Sequence, residues 1–131
     1  MERTGKHSRY DFSYHVVFIP KKRRKIFGSD RSRAAEEYFK EVAQEIECEY
    51  DTLKVAIDHV HMLVLIPPKL SVAKALQILK SKVAQRMLKE FPELRQELPE
   101  GTFWARGYYA RTIGGLNEQL VREYIERTDH F

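Results

Sequence analysis

The sequence is poor in cysteine and in long apolar runs, and both shortages limit what the chain can be. Its single cysteine, Cys48, excludes an intramolecular disulfide and a cysteine-based zinc cluster, which favours a reducing compartment. The N-terminal segment MERTGKHSRYDF has no apolar core, and the longest apolar stretch, residues 62–66, ends at two prolines. We therefore expect no signal peptide, no membrane span and a soluble cytoplasmic protein.

Repeats, low-complexity tracts and interdomain linkers are also missing from the sequence, which favours one domain over residues 1–131. A chain of this length with 43% hydrophobic residues can bury roughly two thirds of its unfolded surface. The net charge of +4 and the pI near 9.2 lean toward a polyanionic partner. Because this excess is small, the positions of the charges matter more than their sum.

Hydrophobic periodicity predicts the element order β-α-β-β-α-β-α. The predicted elements are strands at 13–20 and within 101–115, helices at 33–50 and from 71 to about 91, a strand pair within 52–67 and a last helix from 117. The strand pair turns near Ile57 and Asp58, one long strand being the alternative, and Ser71 and Asn117 are the helix caps. This order predicts an α+β fold, a ferredoxin-like split βαβ sandwich with an antiparallel-dominated sheet and an extra C-terminal helix.

Two histidines, His59 and His61, stand two residues apart in the apolar run KVAIDHVHMLVLI. Side chains of a strand alternate between faces, so both imidazoles point the same way, whereas Asp58 points away and is expected to be a turn residue or a support for a ligand. Paired imidazoles on a stiff strand can share one divalent metal ion, and we expect them to line a solvent-accessible cleft. The alternative is a pair of hydrogen-bonded core histidines. His7, His15 and His130 have no partner at metal spacing.

A tyrosine, Tyr124, lies at the edge of the apolar stripe in the predicted last helix, after the diglycine of Gly114 and Gly115. Such a tyrosine is most often a core or rim residue. A phenol with its usual pKa near 10 is a poor nucleophile, but a neighbouring metal ion that polarises a phosphodiester makes attack feasible. Tyrosine combined with a metal site predicts phosphoryl transfer.

Two basic segments favour a nucleic-acid partner. Five consecutive cations follow the first strand, and five aromatic and guanidinium side chains interleave near the C-terminus, a composition that single-stranded nucleic-acid binders use for phosphate contact and base stacking. They are Lys21, Lys22, Arg23, Arg24 and Lys25, and Trp104, Arg106, Tyr108, Tyr109 and Arg111. The alternatives are a solvated basic loop, and rings that build the core or a subunit interface.

Four segments together resemble a known family. DHVHMLVLIPP carries the histidine–bulky–histidine signature of the HUH endonucleases, and LVREYIERT lies where their catalytic tyrosine helix lies. The resemblance extends to YHVVFIPKKRRK, SVAKALQILKSKVAQRMLKEFPEL and GTFWARGYYARTIGG. Nearly the whole chain is thus similar to the single-tyrosine transposases of the smallest insertion sequences, the IS-two-hundred group.

This resemblance implies a homodimeric enzyme that cuts and rejoins hairpin-containing single-stranded DNA at the ends of a mobile element. His59 and His61 would hold Mg²⁺ or Mn²⁺, and Tyr124 would attack the phosphorus to form a 5′-phosphotyrosine and release a 3′-hydroxyl. A 3′-hydroxyl from another end would then reseal the strand. Gly114 and Gly115 would be the hinge that carries the tyrosine helix to the partner's histidines.

One departure from the family concerns the third metal ligand, often a glutamine one helical turn after the tyrosine. Here that position is Thr128, whose hydroxyl is a poorer ligand than an amide or carboxylate oxygen, so water or Asp129 are the other candidates. Two other functions remain open: a domesticated relative acting on repeated palindromic DNA, and a non-catalytic ferredoxin-like module that binds single-stranded nucleic acid. A zinc hydrolase is less favoured, because the strand offers no third strong ligand.

Overall fold

A four-stranded antiparallel sheet organises the protein in the computed structural model, which describes residues 3–4, 9–10, 13–113 and 125–126. The strands are β1 (Arg3–Thr4), β2 (Arg9–Tyr10), β3 (Ser13–Phe18), β4 (Glu49–Ala56), β5 (His59–Leu65) and β6 (Tyr109–Ile113); the helices are α1 (Asp30–Glu45), α2 (Val72–Glu90) and α3 (Leu94–Glu97). The sheet order is β4-β5-β3-β6, while β1 and β2 pair separately. This order is that of the ferredoxin-like fold, so the predicted α+β architecture is confirmed.

The two helices α1 and α2 pack on one face of the sheet. That face is apolar because alternate residues of β3 and β5 point into it: Val16, Phe18, Val60, Met62 and Val64. The helices meet these residues with Phe39, Val42, Leu76, Leu79 and Val83, all fully buried. None of the helices in the described part of the chain is long and apolar enough to cross a membrane.

The β4–β5 hairpin and the start of α2 confirm two local predictions. The chain turns at residues 57–58, so the segment is a hairpin, as predicted, and not one long strand. The Ser71 hydroxyl accepts a hydrogen bond from the Lys74 amide at 3.1 Å, so Ser71 is the N-cap of α2.

The bounds of α1 differ from the prediction of 33–50. The helix begins at Asp30 and ends at Glu45, because Glu47 takes a left-handed conformation with φ of 62° and turns the chain into β4. Tyr50 is therefore a strand residue, although its spacing continues the helical stripe. The short helix α3 is not predicted. Of the predicted last helix, only Ile125 and Glu126 are described, both helical; Asn117 lies outside the described residues.

Candidate metal and nucleic-acid site

The sheet face opposite the helices assembles three histidines. Residues directly opposite each other in an antiparallel pair share a face. His15 in β3 lies opposite Leu63, and Lys54 in β4 lies opposite His61, so both belong to the face of the histidine pair. Tyr109 in β6 lies opposite Val17 and joins the same face. We call this surface the histidine face.

The His59 and His61 rings lie side by side, as predicted, with centroids 4.8 Å apart and planes at 86°. Each residue is only 2% exposed, so the expectation of a solvent-accessible cleft is wrong for this conformation. Leu63, on the same face, packs against Ile125, and both are fully buried. The C-terminal segment thus supplies an apolar side chain that packs on this face.

Asp58 orients His59 from the turn. The His59 Nδ1 atom lies 2.8 Å from Asp58 Oδ1, and Arg23 Nε donates to Asp58 Oδ2 at 3.0 Å. Burial tends to raise the pKa of Asp58, but the hydrogen bonds from His59 and Arg23 outweigh it and hold this pKa below its ordinary value. The ionised carboxylate accepts from His59 Nδ1–H, so metal coordination by His59 would use Nε2. The prediction that Asp58 is a turn residue is confirmed, and its carboxylate contacts the His59 ring.

His15 is the site residue that sequence reasoning misses. A hydrogen bond of 3.1 Å joins His15 Nε2 to His61 Nδ1, and the two rings stack with centroids 5.4 Å apart and planes at 14°. His15 is 9% exposed. The signal for it is topological. The ferredoxin-like order places β3, the first strand of the four-stranded sheet, beside β5, the third, so a histidine of β3 on the right face can reach the pair.

The paired imidazoles of His59 and His61 could supply two nitrogen ligands to a divalent ion. Both Nδ1 atoms lie in hydrogen bonds, so both rings would coordinate through Nε2, and Mg²⁺ or Mn²⁺ would complete its shell with oxygen atoms. Among the described residues, no three histidine, cysteine, aspartate or glutamate side chains are grouped to hold one metal ion. Thr128 and Asp129, the candidates for the third ligand, lie outside the described part of the chain, as do Tyr124, Gly114 and Gly115.

The basic loop after β3 is partly neutralised by carboxylates of its own chain. Arg24 makes a bidentate pair with Glu100 at 2.5 and 2.9 Å, and Lys22 approaches the same carboxylate at 3.2 Å. The hydrogen bonds from Arg24 lower the pKa of Glu100 to about 2, so the carboxylate is ionised at neutral pH. Because Arg23 is paired with Asp58, three of the five cations contact carboxylates rather than solvent alone.

Replacing Glu100 with glutamine should therefore strengthen DNA binding. The change releases Arg24 and Lys22 to contact phosphates, so the affinity for single-stranded DNA should rise several-fold. The slope of log affinity against log salt should steepen by about one. Fluorescence anisotropy across a salt series measures both. Glu45→Gln is the control, because it makes the same charge change at a carboxylate that pairs with Arg86 instead. An equal gain in DNA affinity in this control would attribute the effect to net charge alone.

Four of the residues in the two predicted nucleic-acid segments line one cavity of about 550 Å³ between α2 and the loop before β6: Lys21, Trp104, Arg106 and Tyr108. Lys21, Lys80 and Arg106 contribute its cations and Tyr108 an exposed ring. Trp104 is 9% exposed and donates from Nε1 to the Lys80 carbonyl at 2.9 Å. Its indole is thus a core residue that forms the cavity wall, not an exposed stacking platform.

The last predicted DNA-binding residue is Arg111. Its backbone lies in β6 opposite His15, and its side chain is outside the described part of the structure.

Comparison with known proteins decides the family. The sequence matches the family described as "Transposase IS200 like" over residues 8–128. The chain belongs to the IS200-like transposases. It is 33% identical over 130 residues to the transposase of insertion sequence element IS200 from Salmonella typhimurium strain LT2, covering 95% of this chain and 82% of that protein. It is 26% identical over 117 residues to the ISDra2 transposase TnpA of Deinococcus radiodurans, covering 89% and 84%.

Solved structures support the same fold for this IS200-like transposase. A crystal structure of a transposase candidate from Deinococcus radiodurans R1 superposes with a TM-score of 0.77 at 25% identity, covering 95% of both chains. A REP-associated tyrosine transposase bound to a REP hairpin superposes with a TM-score of 0.62 at 12% identity, covering 93% of this chain and 70% of the other. Membership of this family means that the protein is an enzyme that binds DNA and acts in DNA transposition.

Proposed function

We propose that this transposase cuts and rejoins single-stranded DNA at insertion-sequence ends through a 5′-phosphotyrosine on Tyr124. The observation that carries the proposal is the pair of buried imidazoles, each bonded at Nδ1, on a face that also receives Ile125. Ile125 directly follows Tyr124 in the sequence and packs on Leu63, two residues beyond His61. This contact supports a tyrosine that acts at the histidine face.

The chain's own residues would divide the work as follows. His59 and His61 would hold Mg²⁺ or Mn²⁺, which when bound polarises the scissile phosphodiester. The phenol of Tyr124 would lose its proton as its oxygen attacks phosphorus, the P–O3′ bond would break, and the leaving 3′-oxygen would take up a proton. Because the phosphotyrosine ester keeps a phosphodiester linkage, a second 3′-hydroxyl can attack it, release the phenol and reseal the strand. Lys54, which lies opposite His61 on the same face, would contribute a cation near a phosphate bound there.

Insertion-sequence ends are the substrate that the comparisons favour. The relatives of insertion-sequence origin cover most of this chain at 33% and 26% identity, whereas the REP-associated transposase shares the fold at 12%. That neighbour is bound to a hairpin, and we propose that this chain likewise binds folded single strands. The DNA would extend over the cavity that Lys21 and Arg106 line.

DNA binding should depend on the cavity cations. Lys21→Ala and Arg106→Ala each remove one charge at the cavity, so each should weaken binding of hairpin-containing single strands. Each should also reduce the slope of log affinity against log salt by about one. Lys69→Ala is the control, because Lys69 pairs with Glu47, just before β4, and does not line the cavity. Unchanged slopes in both cavity variants would place the DNA elsewhere.

A homodimer is expected, because two element ends must be processed together. Light scattering at micromolar concentration should give twice the monomer mass of 15.5 kDa, and the monomer mass would contradict the proposal.

A mixture of Tyr124→Phe and His61→Asn chains tests whether the tyrosine acts with the histidines of its own chain or of the other subunit. The mixed dimer forms an adduct only if one subunit's tyrosine meets the other's histidines. The alternative is the same-chain arrangement that the Ile125 contact favours.

A cleavage assay separates the proposed enzyme from a non-catalytic binding module. The protein is incubated with end-labelled, hairpin-containing single-stranded DNA and Mg²⁺. We expect a shortened strand with a free 3′-hydroxyl, a labelled protein–DNA adduct, and loss of both in EDTA. Binding without cleavage under every tested divalent ion would support the binding module instead.

A further inference from the structure

We propose that His15 is a positioning residue for His61: its Nε2 accepts the hydrogen of His61 Nδ1 and so holds His61 in the tautomer that presents Nε2 to a metal ion. The proposal rests on the proposed function, which makes His61 a metal ligand. His15 and His61 lie on neighbouring central strands, and their 3.1 Å hydrogen bond and stacked rings fix the orientation of the His61 ring.

The geometry gives His15 a supporting role rather than a place among the ligands. His15 meets His61 at Nδ1, whereas a shared metal ion would be bound at Nε2, on the other side of the ring. A neutral imidazole can carry its hydrogen on either nitrogen, and only the Nδ1–H form has a lone pair on Nε2 for a metal. An acceptor at Nδ1 selects that form.

The two histidines of the pair thus have different supports. His59 donates to an ionised carboxylate that Arg23 also contacts, while His61 faces a neutral ring. His15 is in turn fixed by the Tyr109 ring, which meets it edge-on with centroids 5.9 Å apart and planes at 76°. A partner that orients a ligating histidine typically contributes about 10–100-fold to metal affinity. His15 should therefore matter to metal binding before any DNA is present.

Nitrogen-15 NMR tests the tautomer in the unmodified protein. Long-range proton–nitrogen spectra of the full chain with saturating Mg²⁺ should show His61 protonated at Nδ1 and His15 unprotonated at Nε2. A hydrogen on His15 Nε2, with an unprotonated His61 Nδ1, would overturn the proposal, because His15 would then be the donor.

Metal affinity tests the contribution of the contact. Mn²⁺ binding to the DNA-free chain, measured by electron paramagnetic resonance, should weaken about 10–100-fold in His15→Leu, which has no acceptor. His15→Gln should recover most of the affinity, because its amide oxygen can accept from His61. Tyr109→Phe keeps the ring against His15 and should bind like the wild type.

The outcomes separate this proposal from the proposed function. Wild-type binding that is lost in His61→Asn but unchanged in His15→Leu overturns the role of His15 and leaves the metal site standing. Equal weakening in His15→Leu and His15→Gln also overturns it, because rescue by the acceptor fails. Wild-type binding that His61→Asn does not alter overturns the histidine metal site and this inference with it.

Discussion

Tyr124→Phe should abolish both the covalent protein–DNA adduct and strand rejoining, even with saturating metal. Phenylalanine keeps the ring and most of its volume, so the contact of the following residue, Ile125, with Leu63 should persist. Only the phenolic oxygen is lost, and without it no phosphotyrosine ester can form. The adduct is measured by denaturing gel electrophoresis of labelled single-stranded DNA, and the affinity for that DNA should change less than two- to threefold.

Tyr109→Phe is the matched control for this prediction. Tyr109 is the described tyrosine on the histidine face, where its ring contacts His15. The same loss of one hydroxyl there should leave adduct formation intact. An adduct that persists in Tyr124→Phe and disappears in Tyr109→Phe would move the nucleophile to β6.

His59→Asn and His61→Asn should each remove divalent-metal binding and cleavage while the fold survives. The asparagine amide can occupy the place of the ring Nδ1 and keep donating to Asp58 or to His15, but it has no atom at the Nε2 position. Alanine would instead leave a buried partner unsatisfied, at a cost of about 1–3 kcal/mol. Calorimetric titration with Mn²⁺ measures binding, and thermal unfolding without metal measures the fold.

The asparagine variants should unfold within a few degrees of the wild type and still bind single-stranded DNA. His59→Ala and His61→Ala serve as comparisons and should unfold at a lower temperature, because both rings are buried. Normal cleavage in either asparagine variant would show that the histidine pair has only a structural role.

Local patterns predict the elements whose signals do not depend on distant parts of the chain. The apolar run at residues 52–67 is too long for one ordinary strand and so predicts the hairpin, and Ser71 predicts the start of α2, since strand length and cap chemistry are local properties. The end of α1 is harder, because Tyr50 continues the helical spacing while pairing with β5 decides its conformation. Tertiary contacts override local periodicity there.

The functional site likewise combines features that the local sequence predicts with contacts that only the fold decides. Spacing two along a strand predicts that His59 and His61 share a face, but the partner of each ring comes from the fold. His15 lies 46 residues from His61 in the sequence, and Glu100 lies 76 residues from Arg24. Neither contact has a local signal. Composition likewise places Trp104 among the stacking rings, whereas packing against Phe18 and Phe39 makes it a core residue.

Peptide mapping of the adduct tests the central claim most directly. Trypsin releases Tyr124 in the peptide of residues 123–127, which has one tyrosine, and releases Tyr108 and Tyr109 together in residues 107–111. After reaction with Mg²⁺ and hairpin-containing single-stranded DNA, nuclease trimming and mass spectrometry should find the nucleotide mass on the 123–127 peptide, and His61→Asn should show none. A nucleotide on any other peptide, or cleaved DNA without a modified peptide, would contradict the account.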